Sequence, residues 1–292
     1  MATLLIGTDT PLRSPLRYPG GKTRVAARLA QYFPESHTDY REVFAGGGAV
    51  FFHKPLVKKN WINDLHPGLY AFYATLQDNF QGFAKCCKKH ENDDRRGLFD
   101  ELASDRTLMD LDGDSRLLER AFQYYYLNRT VWGGRVVFDP RRKSRLYFSN
   151  PGGWNNLDKK LVHLGKISEK LQGVKITCQS YEKCLARATA GTFVYADPPY
   201  YRESTGHITD KLYDKSFDVD CHVKLADALK KTAANVMVSY DDCPEVRALF
   251  KGWRIEALQW KYSGTYAVSK EDKANGSKEK KVTGRELLIL NY

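Results

Sequence analysis

A short run in the second half of the chain combines groups that could do chemistry. Residues 192–196 read Thr-Phe-Val-Tyr-Ala, and Asp197, Pro198, Pro199 and Tyr200 follow them. A short apolar, β-branched run bounded by turn residues is typical of an interior strand of a parallel sheet, and ligands of such sheets bind beyond the carboxyl ends of the strands. The pattern predicts a buried strand that carries Asp197 into a ligand site.

The tip of this predicted strand offers hydrogen-bond acceptors and a flat ring. Proline lacks an N–H, so the carbonyl groups around the two prolines keep free acceptor positions. The carboxylate of Asp197 and the carbonyl of Pro198 can accept both hydrogens of an exocyclic amino group, and Tyr200 can stack on a heteroaromatic ring. This arrangement favours a planar amine as ligand. A strand end with an Asp turn, a Pro-Pro break and a packed tyrosine is the structural alternative.

Two glycine-rich segments and one acid earlier in the chain suit a cofactor. Residues 16–22 read Leu-Arg-Tyr-Pro-Gly-Gly-Lys ahead of a predicted helix, where the glycines admit a ligand to the backbone and Lys22 suits a carboxylate or phosphate. Residues 44–48, Phe-Ala-Gly-Gly-Gly, predict a turn between a strand and a helix. Residues 59–63 predict the next strand, which places Asp64 to accept ribose hydroxyls.

The segment from Asn128 to Phe148 is basic and aromatic. It predicts a β-hairpin with two β-like runs around a basic turn. Arginines interleaved with aromatic rings suit phosphate contact, base reading and wedging between bases, whereas a solvated hairpin without a partner is the alternative. We predict that Arg135 contacts a base edge, because guanidinium pairs bidentately with guanine, and that Trp132 is the next candidate as a wedge. Phosphate contacts are assigned to Arg141, Arg142 and Lys143.

Composition sets the class of protein. The chain has 292 residues, 42% hydrophobic and 28% charged, with a net charge of +11. No apolar run approaches the roughly 20 residues that span a bilayer. No signal peptide is evident and the six cysteines have neither C-x-x-C nor zinc-site spacing, so we expect reduced thiols, no metal and a cytoplasmic location. The positive charge predicts an anionic partner, in first place nucleic acid, although some soluble proteins are merely basic.

Strand and helix patterns alternate along most of the chain, which predicts an α/β fold. The further predicted helices are 23–33, 66–78, 80–90, 98–130, 156–171, 222–231 and 244–250, and the further strands are 174–178, 235–239, 253–259 and 282–290. The charged stretch 270–281 predicts a solvated loop.

Five motifs occur in an order that resembles the Dam-type (α-group) DNA adenine-N6 methyltransferases: Tyr18-Pro-Gly-Gly-Lys22, Phe44-Ala-Gly-Gly-Gly48, Asp64, Leu127-Asn-Arg129 and Asp197-Pro-Pro-Tyr200. The resemblance covers nearly the whole chain. It implies a Rossmann-like methyltransferase sheet with helices on both faces and an inserted helical plus β-hairpin subdomain that recognises DNA. The corresponding division is residues 1–90 and 155–292 for the catalytic domain and 91–154 for target recognition.

The resemblance also assigns roles to residues. The cofactor S-adenosylmethionine is expected to contact Tyr18, Lys22, Phe44, Gly46, Asp64 and Asp197. Asp197, Pro198 and Tyr200 are the expected catalytic set, and Asn128 and Arg129 join the DNA-binding set. The residues after Leu127-Asn-Arg129 differ from those of the GATC-reading members, so the resemblance does not extend to GATC specificity.

The implied activity is site-specific methyl transfer from S-adenosylmethionine to the N6 amino group of an adenine flipped out of duplex DNA, as in restriction-modification, with S-adenosylhomocysteine as product. Positioning and electrostatics suffice for this reaction. Two alternatives remain: an amino-methyltransferase of the same fold acting on cytosine N4, RNA or a protein amide, and a catalytically silent DNA-binding relative. We expect a bacterial or phage-encoded monomer, with a dimer on DNA as the alternative, and no membrane partner.

Overall fold

The computed structural model describes residues 10–105, 116–136, 146–201, 217–261 and 283–292. Within those ranges the strands are β1 (Asp39–Glu42), β2 (Lys59–Asn63), β3 (Lys175–Thr177), β4 (Thr192–Ala196), β5 (Asn235–Asp241), β6 (Arg254–Lys261) and β7 (Thr283–Leu290). The α-helices are α1 (Ala26–Leu29), α2 (Ala49–His53), α3 (Pro67–Asp78), α4 (Phe80–Lys89), α5 (Arg95–Ser104), α6 (Leu117–Thr130), α7 (Leu157–Leu171), α8 (Tyr181–Leu185), α9 (Val219–Lys231) and α10 (Pro244–Leu249).

All seven strands belong to one sheet, in the order β3-β2-β1-β4-β5-β7-β6. The first five are parallel, and β7 runs antiparallel to both of its neighbours. Strand β4 lies at the centre with all five residues buried. The direction of the strand order reverses between β1 and β4, which opens a crevice at their carboxyl ends where ligands of open sheets bind. The predicted interior strand that ends at Asp197 is confirmed.

Helices cover both faces of the sheet, as predicted. Successive side chains of a strand point to opposite faces. Phe193 and Tyr195 accordingly pack in one core cluster with α2, α3, α6 and α7, whereas Val194 and Ala196 pack in a second cluster with α8, α9 and α10. Each large apolar side chain buried this way stabilises the fold by about 1.5–3 kcal/mol. The chain is therefore an α/β protein with a Rossmann-like sheet.

Helix α6 packs antiparallel along α3. Thr75 near the end of α3 donates to the carbonyl of Leu117 at the start of α6, and Tyr124 lies against Gly68 in the first turn of α3. The rings of Phe72 and Tyr125 stack at 5.3 Å with an interplanar angle of 7°. The aromatic face predicted for this helix is thus core, continuous with the core of the sheet.

The structure differs from the prediction in the segment from Asn128 to Phe148. Helix α6 continues through Thr130, and Trp132–Gly134 form a 3-10 turn rather than a strand. The chain does double back, because Val131 and Phe148 form an isolated antiparallel bridge. Residues 137–145, which include the predicted phosphate contacts Arg141, Arg142 and Lys143, lie outside the described residues.

The predicted helix 23–33 is also interrupted. Its residues form two short 3-10 helices, Lys22–Arg24 and Ala30–Tyr32, on either side of α1. Val25 lies between them with φ −114° and ψ −4°, outside regular helical geometry. A β-branched residue at this point favours such a break. In the described part of the chain, no helix is long and apolar enough to cross a bilayer.

Candidate active site

Lys22 meets the carboxylate of Asp197 directly beyond the end of β4. Its ammonium donates to both carboxylate oxygens at 2.8 Å, to the Tyr200 hydroxyl at 2.9 Å and to the Gly20 carbonyl at 3.0 Å. Lys22 is only 4% exposed. An ammonium group buried to this extent requires acceptors, because an unpaired buried charge is costly. The structure thus brings the Gly-Gly-Lys and Asp-Pro-Pro-Tyr motifs into one cluster.

Two further acids extend this cluster, Glu286 on β7 and Glu42 on β1. The Glu286 carboxylate lies 3.8 Å from the Lys22 ammonium, and Glu42 accepts from the Tyr40 hydroxyl at 2.6 Å. Burial raises the pKa of Glu42 to about 8 despite this hydrogen bond, and the nearby charge of Asp197 adds to the shift. Burial also raises the pKa of Asp197, and the charge of Lys22 opposes that shift. Lys22 therefore favours the ionised form of Asp197 within an acidic surrounding.

Strand β5 holds the Pro-Pro-Tyr loop in place. The Tyr201 backbone N–H donates to the Asp241 carboxylate at 2.9 Å, and the Tyr195 and Ser239 hydroxyls share a hydrogen bond of 2.8 Å. The Tyr200 ring packs at 6.2 Å from that of Tyr240. The ring of Tyr200 is consequently fixed at the wall of the crevice rather than swinging in solvent.

The glycine turn after β1 and the acid after β2 are bonded together. One Asp64 oxygen accepts the Gly46 N–H at 2.8 Å, and the other accepts the His66 N–H at 2.9 Å. Gly46 has φ +48°, and a Cβ there would lie 2.7 Å from the ring of Tyr18. Only glycine lets the Tyr18 ring lie against this turn. Burial raises the pKa of Asp64, against these hydrogen bonds.

These residues line one cleft of about 490 Å³, called here the catalytic cleft. It contains all the residues predicted to hold the cofactor and the predicted catalytic set: Tyr18, Lys22, Phe44, Gly46, Asp64, Asp197, Pro198 and Tyr200. The Phe44 ring lies 5.6 Å from that of Tyr181 and 6.1 Å from that of Phe217. A volume in the range of small-molecule sites, aromatic walls and several acids fit a nucleoside that carries a positive charge.

The predicted DNA-binding residues do not all lie at the surface. Asn128 is completely buried, and its side-chain amide donates to the carbonyls of Arg17 and Gly134 at 2.7 and 2.8 Å and accepts the Arg17 N–H at 3.1 Å. Gly134 has φ +76°, and a Cβ there would lie 2.2 Å from the Arg17 carbonyl oxygen. Asn128 thus ties the end of α6 and the turn at Gly134 to Arg17, which precedes the Gly-Gly-Lys motif.

The other members of that set lie around the cleft and beside it. Arg135 lines the catalytic cleft. Trp132 is 65% exposed. Arg129 is half-buried, and its guanidinium donates to the Gly153 carbonyl at 3.4 Å. The structure brings Arg135 to the active site while leaving Trp132 accessible to a large partner.

Sequence reasoning missed Glu42, Glu286 and the bracing role of Asn128. An acid at the end of an apolar strand is a weak signal for a buried polar site, and Glu286 stands before Leu287, Leu288, Ile289 and Leu290. The group that pairs with such an acid is distant in sequence, so only the tertiary structure identifies it. Within the described ranges, no group of three or more His, Cys, Asp or Glu side chains is placed to hold a metal ion.

The sheet order with an antiparallel β7, together with a crevice that ends in Asp-Pro-Pro-Tyr, defines a protein of the Rossmann-like methyltransferase class. Residues 18–264 match the family described as D12 class N6 adenine-specific DNA methyltransferase. The chain therefore belongs to that family and is an adenine-specific DNA methyltransferase.

Named relatives have modest identity over long alignments. A type II methyltransferase, M1.LlaDCHI, from Lactococcus lactis subsp. cremoris is 28% identical over 291 residues, 96% of each chain. A DNA adenine methylase from Vibrio cholerae is 25% identical over 253 residues, 85% of this chain and 88% of its own. The type II methyltransferase M.CviBI of Paramecium bursaria Chlorella virus NC1A is 26% identical over 85% of this chain and 90% of its own.

Proposed function

We propose that the catalytic cleft binds S-adenosylmethionine and an adenine flipped out of duplex DNA, and that Asp197, Pro198 and Tyr200 position the N6 amino group for methylation. The observation that carries this proposal is the Lys22–Asp197–Tyr200 cluster at the end of the central strand. We further propose that the protein binds DNA as a monomer and that it does so in the cytoplasm, where DNA is accessible.

The cofactor would lie against the glycine turn. Tyr18, Phe44 and Gly46 would contact it, Asp64 would accept its ribose hydroxyls, and the acids around Lys22 would favour its positive charge. When bound, S-adenosylmethionine supplies an activated methyl group on a sulfonium. The backbone N–H groups of Gly46, Leu65 and His66 bond the Asp64 carboxylate, and a carboxylate has about four acceptor positions, so one is left for a ribose hydroxyl.

The chain contributes positioning to the reaction. The Asp197 carboxylate and the Pro198 carbonyl accept the two N6 hydrogens of the adenine, which leaves the nitrogen lone pair directed away from them. Because burial raises the pKa of Asp197, the counter-charge of Lys22 keeps the carboxylate ionised and able to accept. Tyr200 stacks on the flipped base and replaces part of the stacking lost in the duplex.

The substrate is tested by supplying labelled cofactor with duplex DNA, single-stranded RNA and DNA whose target strand has cytosine in place of adenine. We expect label only in adenine of duplex DNA, and label confined to RNA would contradict the proposal. Long-read sequencing of DNA from a host that expresses the protein then gives the methylated motif. Failure of the pure protein to bind S-adenosylmethionine in calorimetry would favour the silent DNA-binding alternative.

Arg135 is the proposed base-reading residue. Its place on the wall of the catalytic cleft, one residue beyond Gly134, supports this role. We expect Arg135→Ala to relax the choice of base at one position of the motif, because a bidentate contact to guanine discriminates by roughly 1–3 kcal/mol. Sequencing of methylated host DNA measures this. A motif that stays unchanged while affinity falls uniformly would make Arg135 a phosphate contact and Trp132 the next residue to test.

A further inference from the structure

A second cavity, of about 660 Å³, adjoins the catalytic cleft. Segment 10–15, the end of α6 and the first half of α7 form it, and Ser14 lines both cavities. We call it the α7 pocket and define it by its six basic residues: Arg13, Arg129, Lys159, Lys160, His163 and Lys166. No Asp or Glu lines it among the residues that the structure describes.

The basic groups are arranged by the fold. Lys159, His163 and Lys166 occupy positions i, i+4 and i+7 of α7, so they share one face of the helix. The imidazole Nε2 of His163 donates to the Arg13 carbonyl at 3.0 Å, which fastens the N-terminal segment over that face. Arg129 enters from the last turn of α6. Three separate parts of the chain therefore converge on one cationic pocket.

Without a bound anion, the cations of the α7 pocket repel one another. Burial lowers the pKa of Lys160, and the Arg129 charge adds to this shift. Burial also lowers the pKa of His163, with Lys166 and Arg13 contributing in the same direction. An anion in the pocket would relieve this repulsion, and the positive end of the α7 dipole at its first turn acts in the same direction.

The pocket opens on the side of the sheet where the catalytic cleft lies. Helix α3 begins just beyond the carboxyl end of β2, and α6 runs antiparallel to it, so Arg129 returns to that side. Gln77 near the end of α3 donates to the carbonyl of Leu171 at the end of α7, so α7 runs parallel to α3 and begins on that side too. A duplex bound at the cleft would extend towards the pocket.

We infer that the α7 pocket binds backbone phosphates of the DNA that flanks the target adenine. Of its six basic residues, only Arg129 lies within the predicted target-recognition segment 91–154. This inference rests on the proposed function. Six cationic or protonatable groups exceed what one free phosphate needs, and phosphates follow one another at regular spacing along a strand. Contacts of this kind carry no sequence information and fix the register of the duplex.

The test compares two double variants with the same loss of charge. Lys159→Gln with Lys166→Gln removes two exposed cations from the pocket, whereas Lys230→Gln with Lys231→Gln removes two exposed cations from the last turn of α9, on the opposite face of the sheet. Binding is measured over a range of salt concentrations on duplexes carrying the methylated motif. One duplex has roughly 10 base pairs on each side of the motif, about one helical turn, and the other has none.

On the flanked duplex, we expect the pocket variant to lose affinity about tenfold and the slope of log K against log salt to fall by about two, because each phosphate contributes close to one unit. The control variant should match the wild type. On the duplex without flanks, the pocket variant and the wild type should bind equally.

Three results would overturn the inference. If pocket and control variants bind the flanked duplex alike while the wild type methylates it, the α7 pocket does not hold DNA although the proposed function stands. If inorganic phosphate raises the melting temperature of the wild type but not of the pocket variant, and DNA binding is the same in both, the pocket binds a free phosphate. A wild type that binds no DNA would overturn the proposed function together with this inference.

Discussion

The catalytic cleft and the α7 pocket lie side by side and share Ser14, yet their ionisable side chains differ. The cleft combines the acids Glu42, Asp64 and Asp197 with the buried cation Lys22, whereas the lining of the pocket that the structure describes is basic and without acids. The acidic cleft suits a cationic cofactor and an amino group, and the basic pocket suits phosphates. The net charge of +11 therefore does not describe either cavity, because the two neighbouring cavities differ in their ionisable side chains.

The largest effect should come from removing the central acid of the cleft. We expect Asp197→Ala to reduce methyl transfer by a hundredfold or more, roughly the loss caused by misplaced reacting groups, while DNA binding survives. Single-turnover rates and duplex binding measure the two properties separately. A circular dichroism melt checks that the variant is folded. Near wild-type turnover would remove Asp197 from the mechanism.

The second effect should come from breaking the contact between Gly134 and Arg17 beside the catalytic cleft. Gly134→Ala places a Cβ 2.2 Å from the Arg17 carbonyl oxygen at a positive φ. We expect about 2–3 kcal/mol lower stability from strain of this kind, together with weaker DNA methylation. Gly173→Ala is the matched control, because Gly173 also has a positive φ but nothing lies within 4 Å of its added Cβ. Equal melting temperatures for the two variants would contradict this prediction.

The third prediction concerns the cation within the acidic cleft. The positive charge of Lys22 lowers the pKa of Asp197 against the effect of burial, so Lys22→Met should raise that pKa. Because the ionised carboxylate is the acceptor, activity is lost as pH falls through this pKa, and the acid limb of kcat/KM should move to higher pH. At a pH on the acid limb, the variant should therefore be slower than the wild type, and the difference should vanish on the plateau. An acid limb at the wild-type pH would show that Lys22 does not control Asp197.

The last prediction concerns a pH dependence of stability. Glu42 has a folded-state pKa of about 8, above its ordinary value of 4.5, so the folded protein holds a proton that the unfolded chain releases between these values. Its contribution to stability is therefore present at acid pH and lost as pH rises towards 8. Glu42→Gln removes this loss, so its free energy of unfolding should exceed that of the wild type by about 3 kcal/mol more at pH 8 than at pH 5. Denaturant melts at both pH values measure the difference, and parallel curves would contradict it.

The fold was largely predictable from sequence because its signals are local. The apolar run at 192–196 and the strand at 59–63 have the bounds that the pattern predicts, and both end at an acid. The predicted cofactor residues converge because parallel strands present their carboxyl ends at one edge of the sheet. Their convergence in one cleft was accordingly predictable before the structure.

The features that were not predicted depend on contacts between residues that are distant in sequence. Asn128 was predicted from its motif to bind DNA. Only the packing of α6 against Arg17 shows that its buried side chain instead bonds the Arg17 backbone. Glu286 meets Lys22 across most of the chain. The hairpin prediction missed the 3-10 turn at Trp132–Gly134, because two successive glycines there adopt positive φ values that β-propensity does not anticipate.

The position of β7 has a consequence for how the protein becomes active during synthesis. β7 lies between β5 and β6, so β6, although made earlier, joins the sheet only through β7. Glu286 of the same strand completes the surroundings of Lys22, a residue far earlier in the chain. A nascent chain that has emerged only through β6 therefore has an open edge at β5 and an incomplete acidic cluster. The complete sheet and the acidic cluster around Lys22 would therefore form only after β7 has been translated and inserted between β5 and β6.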